Sequence, residues 1–210
     1  MVGLIAGAVG AIGTIVSAAV TVTKALAVVG LAVNGLKALG NALMGIAKAV
    51  GLIQPEMNVE DLGDKALQAE EEGIKPENFN SYAEYVKAVE GFKVDPEKSK
   101  QLTEEEKVKK GIELTTGVTV ERFEGFPIEE FFTYAGKNPE YFTEAKMKEL
   151  GKLMEVDGKY VSDVLNYMNG TEKNDFSLGK TIDTLTKIEK KVNPNISDDD
   201  ALDIVLNIRK

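Results

Sequence analysis

Carboxylates are the most abundant side chains in this sequence that could carry out chemistry, with 34 Asp and Glu residues. The chain contains no Cys and no His, which excludes thiolate nucleophiles, imidazole bases and the commonest zinc ligands. Its clearest acidic run, Asp198 to Asp200, lacks the alternating oxygen ligands, central Gly and terminal Glu of an EF-hand. Acids in the first turn of a helix stabilise that helix instead. We therefore expect a capped helix here, with no metal, no cofactor and no enzymatic activity.

Two further acids, Glu129 and Glu130, stand in strongly aromatic surroundings. A carboxyl group among aromatic rings can have a raised pKa, which general acid catalysis requires. Carboxylates are nevertheless so common in this chain that no pair is singled out for hydrolysis of a glycoside. The aromatic residues themselves predict either the core of a domain or a surface on which a partner protein docks. The candidate docking residues are Phe126, Phe131, Phe132 and Tyr134.

The charges are divided unevenly along the chain. Of the net charge of −9, residues 1–53 contribute +3 and the rest −12. Binding to phosphate groups needs a basic surface, so this asymmetry argues against nucleic acid as a partner. The sequence therefore predicts an acidic domain that follows a weakly cationic, apolar segment.

The first part of that segment, residues 1–23, contains no charged residue and is long enough, as a helix, to cross a bilayer. Small and weakly polar residues recur in it at alternating spacings of four and three, which places them along one face of a helix. Such a seam lets two helix backbones approach closely. We expect it to pack against another helix, most simply a copy of itself, in a homo-oligomer. The seam consists of Gly3, Gly7, Gly10, Thr14, Ser17 and Thr21.

The second part, residues 25–53, has the three-and-four apolar repeat of an amphipathic helix. A narrow polar stripe follows its other face, formed by Asn34, Lys37, Asn41 and Lys48. This pattern fits a helix that lies in a membrane interface, lines a polar lumen or packs in a bundle. Glycine recurs at every fifth position from Gly30 to Gly45, which weakens the helix and predicts that it needs a partner or a lipid surface.

Three other interpretations of residues 1–53 were considered. A cleaved signal peptide is disfavoured because no charged region precedes the apolar run, which continues well beyond a signal's length. A dinucleotide fingerprint at Gly7, Gly10 and Gly13 is rejected because no strand precedes it and no acid follows within about 20 residues. A helical hairpin buried in the core of one domain fits the composition and stays open.

Residues 54–57 are expected to form a hinge, because Pro55 ends the helical pattern and acidic residues begin there. Residues 58–210 then predict a compact acidic domain of seven or eight short helices. N-caps are expected at four residues that are followed by an acid three positions later, namely Asn58, Ser81, Thr103 and Ser197. The helix after Thr103 is expected to end near Gly117, and the β-branched run from Val118 to Phe123 to be an extended link or a helical turn.

The fold class predicted by these patterns is mainly α: an extended apolar helix or helical hairpin, followed by a compact acidic multi-helix domain. The Gly- and Ala-rich, Lys-poor segment AVVGLAVNGLKALGNALMGIAKAVGLI resembles hydrophobic components of phage tails and related contractile injection systems. The resemblance implies apolar helices that are housed in a tube or released toward a membrane.

The leading functional hypothesis is accordingly a non-enzymatic, self-associating structural component of a phage-tail-like or secretion assembly. It would meet a membrane or an assembly protein through its N-terminal helix, either in a membrane or in an exported particle. The alternative is a soluble acidic adaptor or immunity-type binding module whose apolar helices form its own core.

Overall fold

The computed structural model describes residues 2–172 and 174–209, with side chains from residue 12 onward. Within those residues the regular structure is helical, with no β-strand, which confirms the mainly α class. A single 3₁₀ turn lies at Pro76–Asn78. The helices are α1 (Val2–Val28), α2 (Val33–Ala49), α3 (Val59–Glu71), α4 (Tyr82–Glu90), α5 (Pro96–Ser99), α6 (Glu104–Arg122), α7 (Ile128–Lys137), α8 (Glu144–Val156), α9 (Lys159–Asn169), α10 (Asp175–Val192) and α11 (Asp198–Asn207).

Helix α6 is the centre of the packing, since α1, α2, α3, α4 and α7 all contact it. Its two glycines let neighbouring helices come close. A Cβ atom at Gly111 would lie 1.8 Å from the carbonyl oxygen of Val59 in α3, and one at Gly117 would lie 2.4 Å from the ring of Tyr82 in α4. Only a residue without a Cβ atom fits at either crossing.

The end of α6 differs from the sequence-based expectation. The helix continues past Gly117 to Arg122, so the run from Val118 is helical and does not form an extended link. Gly117 therefore does not end the helix but leaves room for Tyr82. Val118 and Thr119 are fully buried, and burial on a central helix outweighs the modest β-preference of such residues.

Helix α2 belongs to the same core as the acidic helices. Leu39, Leu43 and Ile46 are at most 1% exposed, and they share one continuous hydrophobic cluster with side chains from α3 to α11. The expected hinge at residues 54–57 is exposed from Gln54 to Glu56, but it is fixed to this core at both ends, because Ile53 and Met57 are buried. The apolar segment and the acidic helices thus have no separate cores.

The spacing of the glycines in α2 follows from the two helices that pack against α2. A Cβ atom at Gly40 would lie 2.8 Å from Val59 of α3, whereas one at Gly45 would lie 2.7 Å from the carbonyl oxygen of Glu144 at the start of α8. Residues five apart point in different directions on a helix. Each glycine therefore admits a different neighbouring helix.

The four expected N-caps are confirmed. The side chains of Asn58, Ser81, Thr103 and Ser197 each accept a hydrogen bond from the backbone N–H three residues later, at distances of 2.9 to 3.2 Å. At Thr103 the Glu106 carboxylate also accepts from the Thr103 N–H, which completes a capping box.

Candidate functional site

The aromatic cluster is turned inward, which corrects the expected docking surface. Phe131 and Phe132 are fully buried and Tyr134 is 6% exposed. The rings of Phe131 and Phe142 meet edge to face with centroids 5.5 Å apart, a favourable geometry for an aromatic core. These residues do not form a surface. Phe126 is 37% exposed, but its ring lies against Gly158.

Glu129 and Glu130 face the opposite way on α7. They occupy its first turn and are exposed, while Ile128, Phe131 and Phe132 on the same helix are buried. Their carboxylates therefore lie in solvent, and the aromatic rings that flank them in the sequence do not surround them. At a helix N-terminus two carboxylates complement the helix dipole.

The small-residue seam of α1 lies on the face of the helix that is directed away from the core. Thr14, Ser17 and Thr21 are exposed, whereas Ala19 and Leu26 are fully buried. The Thr21 hydroxyl donates to the backbone carbonyl of Ser17 at 2.8 Å, so it is satisfied within the helix. The other seam positions, Gly3, Gly7 and Gly10, lie outside the residues whose surroundings the structure describes.

The seam and the two carboxylates line one groove between α1 and α7. A cavity of about 470 Å³ lies along Thr14, Ser17, Thr21 and Glu129. A second cavity, of about 400 Å³, shares Thr21 and Glu129 with the first and continues past Glu130 toward α9. The sequence identified these two features separately, and the fold brings them together. We refer to this feature as the α1–α7 groove.

Except at Asn34, the polar stripe on α2 contacts neighbouring helices, which corrects the expectation that it faces lipid headgroups or a lumen. Lys37 forms ion pairs with Glu60 of α3 and, at 3.1 Å, with Glu104 of α6. The Lys48 ammonium lies 3.0 Å from a Glu144 carboxylate oxygen of α8. The hydrogen bond to Glu60 is the main cause that raises the pKa of Lys37 above its usual value.

The two amide side chains of the stripe differ: Asn41 contacts another helix, and Asn34 does not share that contact. Asn41 accepts a hydrogen bond from the Val59 N–H at 2.9 Å, so it caps α3 from outside. Asn34 alone among the four is exposed. The stripe is therefore mostly the polar contact by which α2 holds α3, α6 and α8.

Several buried polar residues were not identified from the sequence. Lys107 and Asp64 join α6 to α3 at 3.0 Å, and both side chains are almost buried. Burial opposes ionisation of Asp64, but hydrogen bonds from Ser99, Lys107 and Gln68 outweigh it and hold the pKa of this carboxyl below its usual value.

Glu121 has a comparable role over a longer sequence distance. Its two carboxylate oxygens accept hydrogen bonds from the N–H groups of Tyr82 and Ala83 at 2.6 and 2.8 Å. A residue near the end of α6 thereby caps the start of α4. A cap that is 39 positions away has no short-range sequence signature, which is why pattern reasoning missed it.

The described part of the chain holds no group of three or more acidic side chains placed to bind a metal ion. No helix within residues 2–172 and 174–209 combines the length and apolar character of a membrane span.

The chain was also compared with known proteins. Searches against protein-family models, curated protein sequences and solved structures find no match to it.

Proposed function

We propose that the protein is a non-enzymatic structural module that associates with copies of itself through the α1–α7 groove. The observation that carries this proposal is the exposed small-residue face of α1 beside the carboxylates of Glu129 and Glu130. Small residues let the backbone of a second helix approach α1 closely. The carboxylates favour a cation on that helix.

The chain carries a matching cation on the same helix. Lys24 is exposed and lies three positions after Thr21, on the seam face. In an antiparallel pair of α1 helices centred near Thr21, Lys24 of one copy lies opposite the Ser17 region of the other, next to Glu129. The contact is isologous, so each pair forms twice across the two-fold axis.

The burial of α2 supports a module of this kind over a membrane-facing or tube-housed helix. Leu39, Leu43 and Ile46 are enclosed by α6, α8 and their neighbours, so the core accounts for the apolar residues between Leu36 and Ala47. This also matches the premise of the adaptor hypothesis, in which the apolar helices are the module's own core. The setting that we propose for a self-associating module of this kind is a phage-tail-like or secretion assembly.

The proposal is tested by sedimentation velocity over a range of protein concentrations. Lys24→Glu is expected to weaken association several-fold, because it places a negative charge against Glu129 and Glu130. Combining it with Glu129→Lys and Glu130→Lys in the same chain should restore association, because the charges are then exchanged. Higher salt should weaken the unsubstituted pair.

Lys93→Glu is the matched control, since Lys93 is exposed and remote in sequence from both helices. It should leave association unchanged. A chain that stays monomeric at every concentration, or equal loss with Lys93→Glu and Lys24→Glu, would overturn self-association through this groove. The first result would favour the adaptor function, in which the acidic surface binds a basic partner.

A further inference from the structure

A second groove lies between α8 and α10. It is open to solvent, with a volume of about 340 Å³. Its floor is apolar and is formed by Leu153, Tyr160 and Ile188. At the end of α8, three residues after Leu153, Val156 is 84% exposed. An apolar floor of this kind is suited to covering apolar side chains of another helix.

The rim of this groove is cationic, although the chain as a whole has a net charge of −9. Lys152 from α8 and Lys191 from α10 both contact Glu149, at 2.6 and 2.5 Å. One carboxylate therefore stands between two ammonium groups. Lys187 adds a third lysine, whose side chain is 76% exposed and whose ammonium lies 3.1 Å from Asp183 on the same helix, so three lysines stand against two carboxylates at the rim. The groove thus offers apolar contact in the middle and positive charge at the edge.

Helix α11 has the complementary surface. Ala201 and Val205 on its inner face are fully buried, whereas Leu202 and Leu206 are 36% and 46% exposed. Asp199 and Asp203 are exposed as well. Positions 199, 202, 203 and 206 share one face of a helix. This outer face is apolar in the middle and acidic at the edge. The groove is apolar in the middle and basic at the edge, so the two surfaces are complementary.

We propose that the outer face of α11 in one copy docks in the α8–α10 groove of a second copy. Leu202 and Leu206 cover the apolar floor, and Asp199 and Asp203 meet the lysine rim. The same chain cannot satisfy its own groove in this way, because the inner face of α11 is packed against its own body and its outer face points away from it. A second copy supplies the free face.

The symmetry of this contact differs from that of the α1 pair. The two surfaces are different parts of the chain, so the contact is heterologous, and each copy can give one α11 and receive another. Such contacts form rings when the rotation closes and open chains when it does not. The inference is independent of the α1–α7 groove, since the two contacts have no residue in common.

The test uses two charge reversals and their mixture, measured by sedimentation velocity. Every chain also carries Lys24→Glu, which suppresses the proposed α1 pair. Lys187→Glu should impair the groove and leave α11 intact, while Asp203→Lys should do the opposite. Each variant alone is expected to self-associate at least tenfold more weakly than the parent chain.

The mixture gives the decisive result. The intact groove of the Asp203→Lys chain can accept the intact α11 of the Lys187→Glu chain, and the two substituted surfaces also have opposite charges, so the mixture should regain association with the two chains in equal amounts. Lys87→Glu, an exposed reversal on α4, is the control and should associate as the parent does. A mixture that stays monomeric, or a Lys187→Glu chain that associates as tightly as the Lys87→Glu control, would overturn the proposal. Far-ultraviolet circular dichroism should be the same for all variants.

Discussion

At the scale of single residues, one carboxylate is sensitive to substitution because it is held without access to water. Glu189 of α10 is fully buried, and its Oε1 atom lies 2.6 Å from the Lys146 ammonium of α8. That ammonium also lies 4.0 Å from the centre of the Tyr141 ring. Burial raises the pKa of Tyr141 above its usual value, and the neighbouring Glu189 carboxylate raises it further. A charge held in this way is stable only while its partner is present.

Removing one member of the pair is therefore expected to cost more than removing both. Glu189→Ala should lower the free energy of unfolding by about 3 to 5 kcal/mol, because it leaves Lys146 buried without a counter-charge. Lys146→Met combined with Glu189→Met should recover most of that loss. Urea unfolding followed by circular dichroism measures both.

The control for this pair is an exposed one. Asp183 and Lys187 have the same helical spacing as many surface pairs, and both are more than 70% exposed. Asp183→Ala should change stability by less than about 1 kcal/mol. Equal losses from Asp183→Ala and Glu189→Ala would show that Glu189 is not held as described.

The sequence contains one sign of this buried acid. In α10 the apolar repeat passes through Leu185, Ile188 and Val192, and Glu189 follows Leu185 by four positions, on the same face. An acid on the apolar face of a helix predicts either a buried ion-pair partner or a break in the buried face. Its partner, Lys146, is on another helix, and no pattern within α10 points to it.

At the scale of elements, the closeness of α3 and α6 is set by glycine. A Cβ atom at Gly63 would lie 1.7 Å from the carbonyl oxygen of Lys107, and one at Gly111 would lie 1.8 Å from that of Val59. Both contacts are with backbone, which cannot move aside as a flexible side chain can. The sequence shows these glycines inside helical patterns but gives no reason to choose them over alanine.

Gly111→Ala should destabilise the protein by about 1 to 3 kcal/mol, or more if the helices must separate. Gly179→Ala is the matched control, because Gly179 is an exposed residue of α10 with no atom within 4 Å of where the alanine methyl group would lie. That change should stabilise by about 0.4 to 1 kcal/mol, since alanine has the higher helix propensity. Thermal unfolding of the two variants compares them directly, and destabilisation of similar size in both would contradict the close crossing.

Helix ends were predictable to different degrees for a physical reason. The N-caps at Asn58 and Thr103 depend on a residue three positions away, so a short pattern contains the whole interaction. The end of α6 depends on contacts with α4, which is distant in the sequence, since Tyr82 packs on Gly117 and the N–H groups of Tyr82 and Ala83 donate to Glu121. Local preference therefore identified where helices begin more accurately than where this helix ends.

At the scale of the whole molecule, the apolar N-terminal segment and the acidic helices share one core. The mainly α class followed from helical periodicity and capping patterns. The burial of α2 did not, because an apolar face with a lysine stripe fits a membrane surface and a protein interior equally well. Lys37 and Lys48 distinguish the two only when Glu60, Glu104 and Glu144 are seen opposite them.

A chain that begins at Glu56 is therefore expected to lose its cooperative fold. Its core would lack Leu39, Leu43 and Ile46, and a single buried Leu or Ile reduced to Ala already costs about 2 to 5 kcal/mol. Near-ultraviolet circular dichroism and a thermal scan would show loss of fixed aromatic packing and a broad transition. A sharp transition like that of the full chain would mean that residues 56–210 form a domain by themselves.

The central position of α6 also affects the order in which the protein can fold during synthesis. Helix α2 is complete at Ala49, whereas α6 ends only at Arg122. At ribosomal rates of about 5 to 20 residues per second, α2 waits roughly 4 to 15 s for the helix that covers it. During that interval its leucines are exposed to other nascent chains. Helix α2 is thus a natural substrate for chaperones that bind apolar segments before α6 has been synthesised.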